Sequence, residues 1–246
     1  MKVEGLLARS AAGWTVAVAL LLTAAGAAGT LQGQSANPAG MISIRLEQKV
    51  GGLTKPVPQN TVFRNGNVLR FQITSHVSGY LYVVDKGTTG ETNTLFPGAN
   101  AIPGDNRIED GKTYAVPANG DGWFEVSGPA GFDILYFLVS ATPIALPSAP
   151  AEGKNSGATE KTEPLPPGML PRCDDAIFKA RGDCIDASAG VAPLGAGASV
   201  PRELVPLAKT ASRDIILTDD GDDTGVKPAA ASKLPLIYTF RLAHRE

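Results

Sequence analysis

The chain has 246 residues, and 22 Lys and Arg stand against 24 Asp and Glu for a formal net charge of -2. So even a balance supplies no electrostatic footprint for nucleic acid or for an anionic membrane surface. With 43% hydrophobic residues a packed core is within reach, but 28 Gly and 19 Pro are unevenly spread and reduce the part that folds tightly.

Lys2 and Arg9 form a positive n-region, Val16 to Leu22 is an apolar run fading into small residues up to Ala28, and Ala25-Gly26-Ala27 fits an Ala-x-Ala cleavage site. This pattern reads as a secretory signal peptide over residues 1–28. The run is shorter than the roughly 20 residues that span a bilayer; an uncleaved anchor is the alternative. No cysteine lies there to carry a lipid, and nothing after it resembles a membrane span. The expected location is exported, either periplasmic or extracellular. In such a compartment the two cysteines, Cys173 and Cys184, are expected to form a disulfide. Their spacing is not Cys-x-x-Cys and no histidine is near, so a redox or metal pair is the weaker reading. Asp174 to Arg181 between them suits a short helical turn.

Along the rest of the chain the signals are those of strands. Ile42, Ile44 and Leu46 alternate with Ser43, Arg45 and Glu47, and Leu69, Phe71 and Ile73 alternate with Arg70, Gln72 and Thr74. Period 2 marks half-buried strands. Asn65-Gly66 is a turn signal before the second. Tyr80 to Val84 and Trp123 to Val126 follow as strands. Ile134 to Val139 is apolar on both faces, which predicts a central, fully covered strand. From about Ala145 to Pro201, prolines in an Ala, Gly, Ser and Thr background predict a low-complexity insertion that cannot offset its ordering entropy. Strand patterns return at Arg213 to Leu217 and at Leu236, Tyr238, Phe240 and Leu242. The expected fold is all-β, a single sandwich-like domain of mostly antiparallel strands. Its main part spans residues 37–143, the insertion with the Cys pair 144–201, and the completing C-terminal strands 202–246.

Several motifs in order resemble the DUF4384 family. They are Phe63-Arg64-Asn65-Gly66-Asn67-Val68-Leu69-Arg70-Phe71, Gly79-Tyr80-Leu81-Tyr82-Val83, Leu95-Phe96-Pro97, Asp105-Asn106-Arg107-Ile108, Tyr114-Ala115-Val116-Pro117, Gly128 to Leu135, and Ser140-Ala141-Thr142-Pro143. Ser212 to Ile215 and the last strand fit the family's ending loosely. Asn67 stands where Asp is common and Asp133 where Glu is common. The resemblance implies an extracytoplasmic or accessory β-module of bacteria, often attached to proteases, caspase-like domains or kinases. It assigns no catalytic residue.

The candidate sites are sparse. Histidine occurs only as His76 and His244, without a Gly-x-Ser-x-Gly elbow or a His-Glu-x-x-His motif, so neither a catalytic triad nor a zinc site is expected. His244 sits near the C-terminus, where fraying is the expectation. Asp219 to Asp223 is oxygen-rich but lacks EF-hand spacing, which favours a solvated hairpin loop over a calcium site. Tyr80 and Tyr82 share a strand face; with Phe96 they are the candidate contact surface. No cofactor and no metal are expected. The reading is a non-enzymatic binding or accessory module of the bacterial cell envelope, its partner an unidentified protein or glycan. A hydrolase built on His76 or clustered carboxylates, and a structural envelope component, are the alternatives.

Overall fold

The alternating residues of the first segment become β1 (Ile42–Val50), those of the second β4 (Val68–Ser75). The chain between them adds β2 (Leu53–Val57) and β3 (Val62–Arg64). The Tyr80 segment is β5 (Gly79–Lys86) and the run apolar on both faces is β10 (Gly131–Ser140). Short strands lie between: β6 (Thr92–Phe96), β7 (Arg107–Ile108), β8 (Thr113–Val116) and β9 (Phe124–Glu125). After them come α1 (Asp175–Arg181), β11 (Gly190–Pro193), a one-turn helix α2 (Val205–Ala208), β12 (Ile215–Asp220), β13 (Asp223–Pro228) and β14 (Leu236–Arg245). The computed structural model describes residues 41–98, 105–118, 121–144, 170–195, 198–229 and 234–246. The signal-peptide segment 1–28 and the Pro-rich stretch 145–169 lie outside them.

Two seven-stranded sheets pack face to face. One has the order β12-β13-β1-β4-β8, with β2 also on β1 and β9 also on β4. The other has the order β11-β14-β10-β5-β6, with β3 also on β14 and β7 also on β5. Every pairing is antiparallel except β3 with β14. The fold is thus the mostly β, sandwich-like one that the alternation predicts.

The core lies between the sheets. β1 and β4 turn Ile42, Ile44, Leu46, Leu69, Phe71 and Ile73 inward, against Leu81 and Val83 of β5, Leu135, Phe137 and Val139 of β10, and the even-numbered residues of β14 from Leu236 to Leu242. Phe71 meets Phe240 edge-on at 4.9 Å, and Phe137 stacks on Tyr238 at 5.3 Å. β10 is covered on its other face too, as its composition predicts. There Tyr136 and Leu138, with Tyr82 and Val84 of β5 and Ile237 of β14, are closed over by Leu194, Leu204 and Ala208.

The segment after residue 169 differs from the low-complexity expectation. Residues 170–195 and 198–201 are built into the domain. The Cys173–Cys184 disulfide, with Cα atoms 6.1 Å apart, encloses α1. Asp174 caps that helix by accepting from the Ile177 amide at 2.9 Å, and Gly182 ends it at φ 78°. Phe178 and both cysteines pack on Val62, Phe132 and Ala243. β11 then extends the second sheet by pairing with β14. A few well-placed apolar side chains and one cross-link outweigh the unfavourable local composition, because the sheet supplies a surface already formed.

Two outcomes are expected. Removing the disulfide as Cys173→Ser with Cys184→Ser should cost about 2–4 kcal/mol in denaturant unfolding; an unchanged midpoint would contradict the stapling role. A Cβ on Gly79 would stand 2.6 Å from the Ser140 carbonyl oxygen, in the β5–β10 ladder. Gly79→Ala should therefore force these strands apart and lower the melting temperature by several degrees, measured by circular dichroism.

Candidate functional site

The inner-facing rows of the second sheet change character at one end. In β5 the row runs Leu81, Val83, Asp85; in β10 it runs Val139, Phe137, Leu135, Asp133; in β14 it runs Phe240, Leu242, His244. Register places Asp85 and Phe240 on either side of Leu135, Leu242 opposite Asp133, and His244 opposite Gly131. Three apolar rows therefore end in a diagonal of polar side chains. A cavity of about 340 Å³ opens over Asp85 and Asp133.

Its walls come from the turn after β5 and from the loop after β9. The turn, residues 87–91, is closed by the Gly87 amide donating to the Glu91 carbonyl at 2.9 Å. The Thr88 amide donates to Asp133 Oδ1 at 2.8 Å, which fastens the turn to β10. Across the cavity, the Val126 amide donates to the Asn67 carbonyl and the Gly66 amide to the Val126 carbonyl, at 2.8 and 2.9 Å. Asn65 Nδ2 donates to the Gly128 carbonyl at 3.0 Å. The Asn65-Gly66-Asn67 turn thus holds residues 126–128 in place. Asn67 Oδ1 accepts from the Arg64 amide, a contact an Asp would also make, so the departure at this position leaves the turn intact.

Asp85 Oδ1 is sealed from solvent with no hydrogen-bond partner. Burial first, and then the nearby Asp133 carboxylate, push the Asp85 carboxyl up to about 7. His244 is fully buried. Its Nε2 lies 3.4 Å from Asp133 Oδ1, and neither ring nitrogen makes a hydrogen bond. The fraying expected of His244 does not occur, because β14 is held on one side by β10 and on the other by β3, where His244 pairs with Phe63.

The other sequence candidates do not join this cluster. His76 follows the far end of β4 and pairs through Nε2 with Ser43 Oγ at 2.9 Å; Ser75 Oγ instead donates to the Val77 carbonyl. The proposed aromatic surface is corrected. Tyr82 is 3% exposed and Phe96 5% exposed, and they belong to different clusters, one outside the second sheet and one inside it. The Tyr82 hydroxyl donates to the Ile144 carbonyl and accepts from the Ile144 amide. Tyr80 packs half-buried beside Tyr82. The tyrosines do face outward from the main core, but Leu194, Leu204 and Ala208 cover that face. Asp219 to Asp223 forms the β12–β13 hairpin end, with Gly221 at φ 72°. Asp223 is held there by Arg45, Nε to Oδ1 at 2.6 Å and Nη2 to Oδ2 at 3.1 Å. Among the described residues no three His, Cys, Asp or Glu side chains gather as a metal would require. Buried Asn106 donates from Nδ2 to the Leu81 carbonyl, so it serves the backbone of β5.

Asp85 was not among the sequence candidates. The signal for it was available: it interrupts an apolar strand on the same face as Leu81 and Val83, as Asp133 does beside Leu135 and His244 beside Leu242.

The raised Asp85 carboxyl has a stability consequence. A group whose folded pKa lies above its unfolded value of 3.8 favours folding when protonated. Its contribution is complete below about pH 4 and is lost as pH rises through about 7. Asp85→Asn should therefore leave stability nearly unchanged at pH 4 and raise it by on the order of 2 kcal/mol at pH 8. Urea unfolding at both pH values checks this; equal differences at both would refute it.

Residues 62–143 match the model of DUF4384, a domain of unknown function. No curated protein and no solved structure matches the chain.

Proposed function

From a chain that carries a DUF4384 domain over residues 62–143, we propose an exported, non-enzymatic binding module of the bacterial cell envelope, with the cavity over Asp85 and Asp133 as its ligand site. The observation that carries this reading is a cavity lined by two neighbouring carboxyls, Asp85 and Asp133, where the apolar rows of the second sheet end. Buried polar atoms are normally satisfied. Asp85 Oδ1 departs from that rule while sealed from solvent, and Asp85 and Asp133 line a cavity whose volume suits a small ligand. The enclosed His244 ring favours binding over catalysis, since a general acid or base has to reach the reacting atom. The N-terminal n-region, apolar run and small-residue exit support export. No helix among the described residues is long and apolar enough to cross a membrane.

Hydrolysis is the second reading. It is favoured by one specific feature, a carboxyl held near 7 beside a second carboxylate, the arrangement used for proton donation.

The test uses Ser127, an exposed residue on the cavity lip. Small polar compounds are screened by thermal shift against the native chain and against Ser127→Trp, which obstructs the cavity. Ligands of the cavity should raise the native melting temperature and lose that effect in the variant. Shifts that survive Ser127→Trp would place binding elsewhere and sink the assignment. Conversion of a bound compound to product, abolished by Asp85→Asn, would favour the hydrolase.

A further inference from the structure

The cavity is one-sided in charge. Asp85, Glu91, Glu125 and Asp133 line it, and no lysine or arginine does. The rest of its lining includes Thr88, Thr89, Asn93 and Ser127 and the apolar side chains of Leu95, Phe124, Leu135 and Leu242. Leu95 and Phe124 pack against the main core, and Leu242 is part of it. Behind the wall, fully buried His244 has both ring nitrogens outside any hydrogen bond and turns Nε2 toward Asp133. Even a protonated imidazole there leaves the carboxyls in excess.

A metal ion does not fit this distribution. Divalent ions need several ligands converging on one point, and among the described residues no three acidic, His or Cys side chains converge. Carboxyls mixed with apolar side chains match a different cation, one that carries its charge at one end of a methylene chain. A carboxylate and an ammonium make a charge-assisted hydrogen bond, stronger than a neutral one and stronger still away from water.

We propose that the cavity binds an aliphatic primary ammonium group, with Asp85 and Asp133 as counter-charges and Leu95, Phe124 and Leu242 along its methylene chain. The proposal rests on the reading of the cavity as the ligand site. The same chemistry is borne by a free alkylamine and by a lysine side chain of a partner.

The pH dependence follows from the surroundings of Asp85. The titratable groups around it are Asp133 on β10, His244 on β14, Glu125 on β9 and Glu91 before β6. Lys86 and Arg241 belong to the opposite-face rows, where Arg241 stacks on Phe132. With Asp85 raised to about 7 by burial and by Asp133, an arriving ammonium displaces a proton from it. Affinity should rise between pH 6 and pH 8.

The experiment titrates the purified chain with 1,5-diaminopentane, Nα-acetyl-lysine methylamide and, as the neutral control, 1-pentanol. Amide NMR shifts at Thr88 and Gly128 report occupancy, and calorimetry gives Kd at pH 6 and pH 8. At least one amine should shift both amides, bind at least tenfold more tightly than pentanol, and bind more tightly at pH 8. Asp85→Asn should weaken it about tenfold or more. Glu125→Gln, on an exposed side chain, should weaken it less and covers the case in which Asp85→Asn perturbs folding. Binding of the acetyl-lysine probe would point to a protein side chain as the source; binding of diaminopentane alone would point to a free amine. Pentanol binding as tightly as both amines would overturn the charge assignment and leave the cavity reading standing. Amines that leave Thr88 and Gly128 unmoved, or that bind Asp85→Asn and Glu125→Gln as they bind the native chain, would overturn the proposal. Failure of the cavity reading itself shows separately, as thermal shifts that persist in Ser127→Trp.

Discussion

Strand β10 has to be buried on both faces, and much of the architecture answers that demand. Its inward residues Leu135, Phe137 and Val139 meet the first sheet, while Tyr136 and Leu138 need a second cover. A strand apolar on both sides is stable only in the middle of a covered sheet. β14 and β5 supply the two flanking ladders. Leu194, Leu204 and Ala208 supply the outer cover. The chain leaves β10 after residue 140, adds β11 at the edge of the sheet, and returns at 236 to lie beside the strand it left, and Leu194, Leu204 and Ala208 in between are retained over the outer face.

The cavity is a by-product of the same geometry. Inner rows pack well wherever both sheets face each other with apolar side chains. At the end where β10 begins, glycines stand beside the polar diagonal: Gly131 opposite His244, and Gly87, whose Cβ would lie 3.6 Å from Asp133 Oδ1. Gly87 lines the cavity, and the carboxyls beside it are unsuited to becoming more core. Asp186 shows the contrasting solution. Burial would raise its carboxyl, but the Ser188 hydroxyl and the Arg172 and Ser188 amides all donate to it and together hold it below its ordinary value. That carboxylate is saturated within the chain and locks the loop after the disulfide. Asp85 has no such donors on Oδ1, and unlike Asp186 it lines the cavity.

The core-forming strands were legible because alternation is a local property. Ile42, Ile44 and Leu46, then Leu69, Phe71 and Ile73, carry their burial pattern in their own spacing, and the two-faced run at Ile134 to Val139 declares its central position. The short strands β7 and β11 were not legible, since two to four residues hold no period and their pairing depends on a neighbour already in place, whereas β9 falls within the strand expected at Trp123 to Val126. Tyr82 was placed on the correct side of its strand, but its cover was not foreseen. Leu194, Leu204 and Ala208 are scattered among Pro, Gly and Ser, with no sequence pattern linking them to β5.

By itself the sequence determined which residues face inward, that two antiparallel sheets form around them, that Cys173 and Cys184 can close a local loop, and that the motifs from Phe63 to Pro143 follow the DUF4384 order. Only the tertiary structure decided that Asp85, Asp133 and His244 meet. Each lies at the end of a different strand, as much as 159 positions apart (244 − 85). Their meeting is set by the register of β5, β10 and β14. Side-chain period specifies a face, but register comes from the fit of whole strands against one another. So the residues of a site at the end of a sandwich can be recognised as odd in the sequence, and become a group only when the ladders align them.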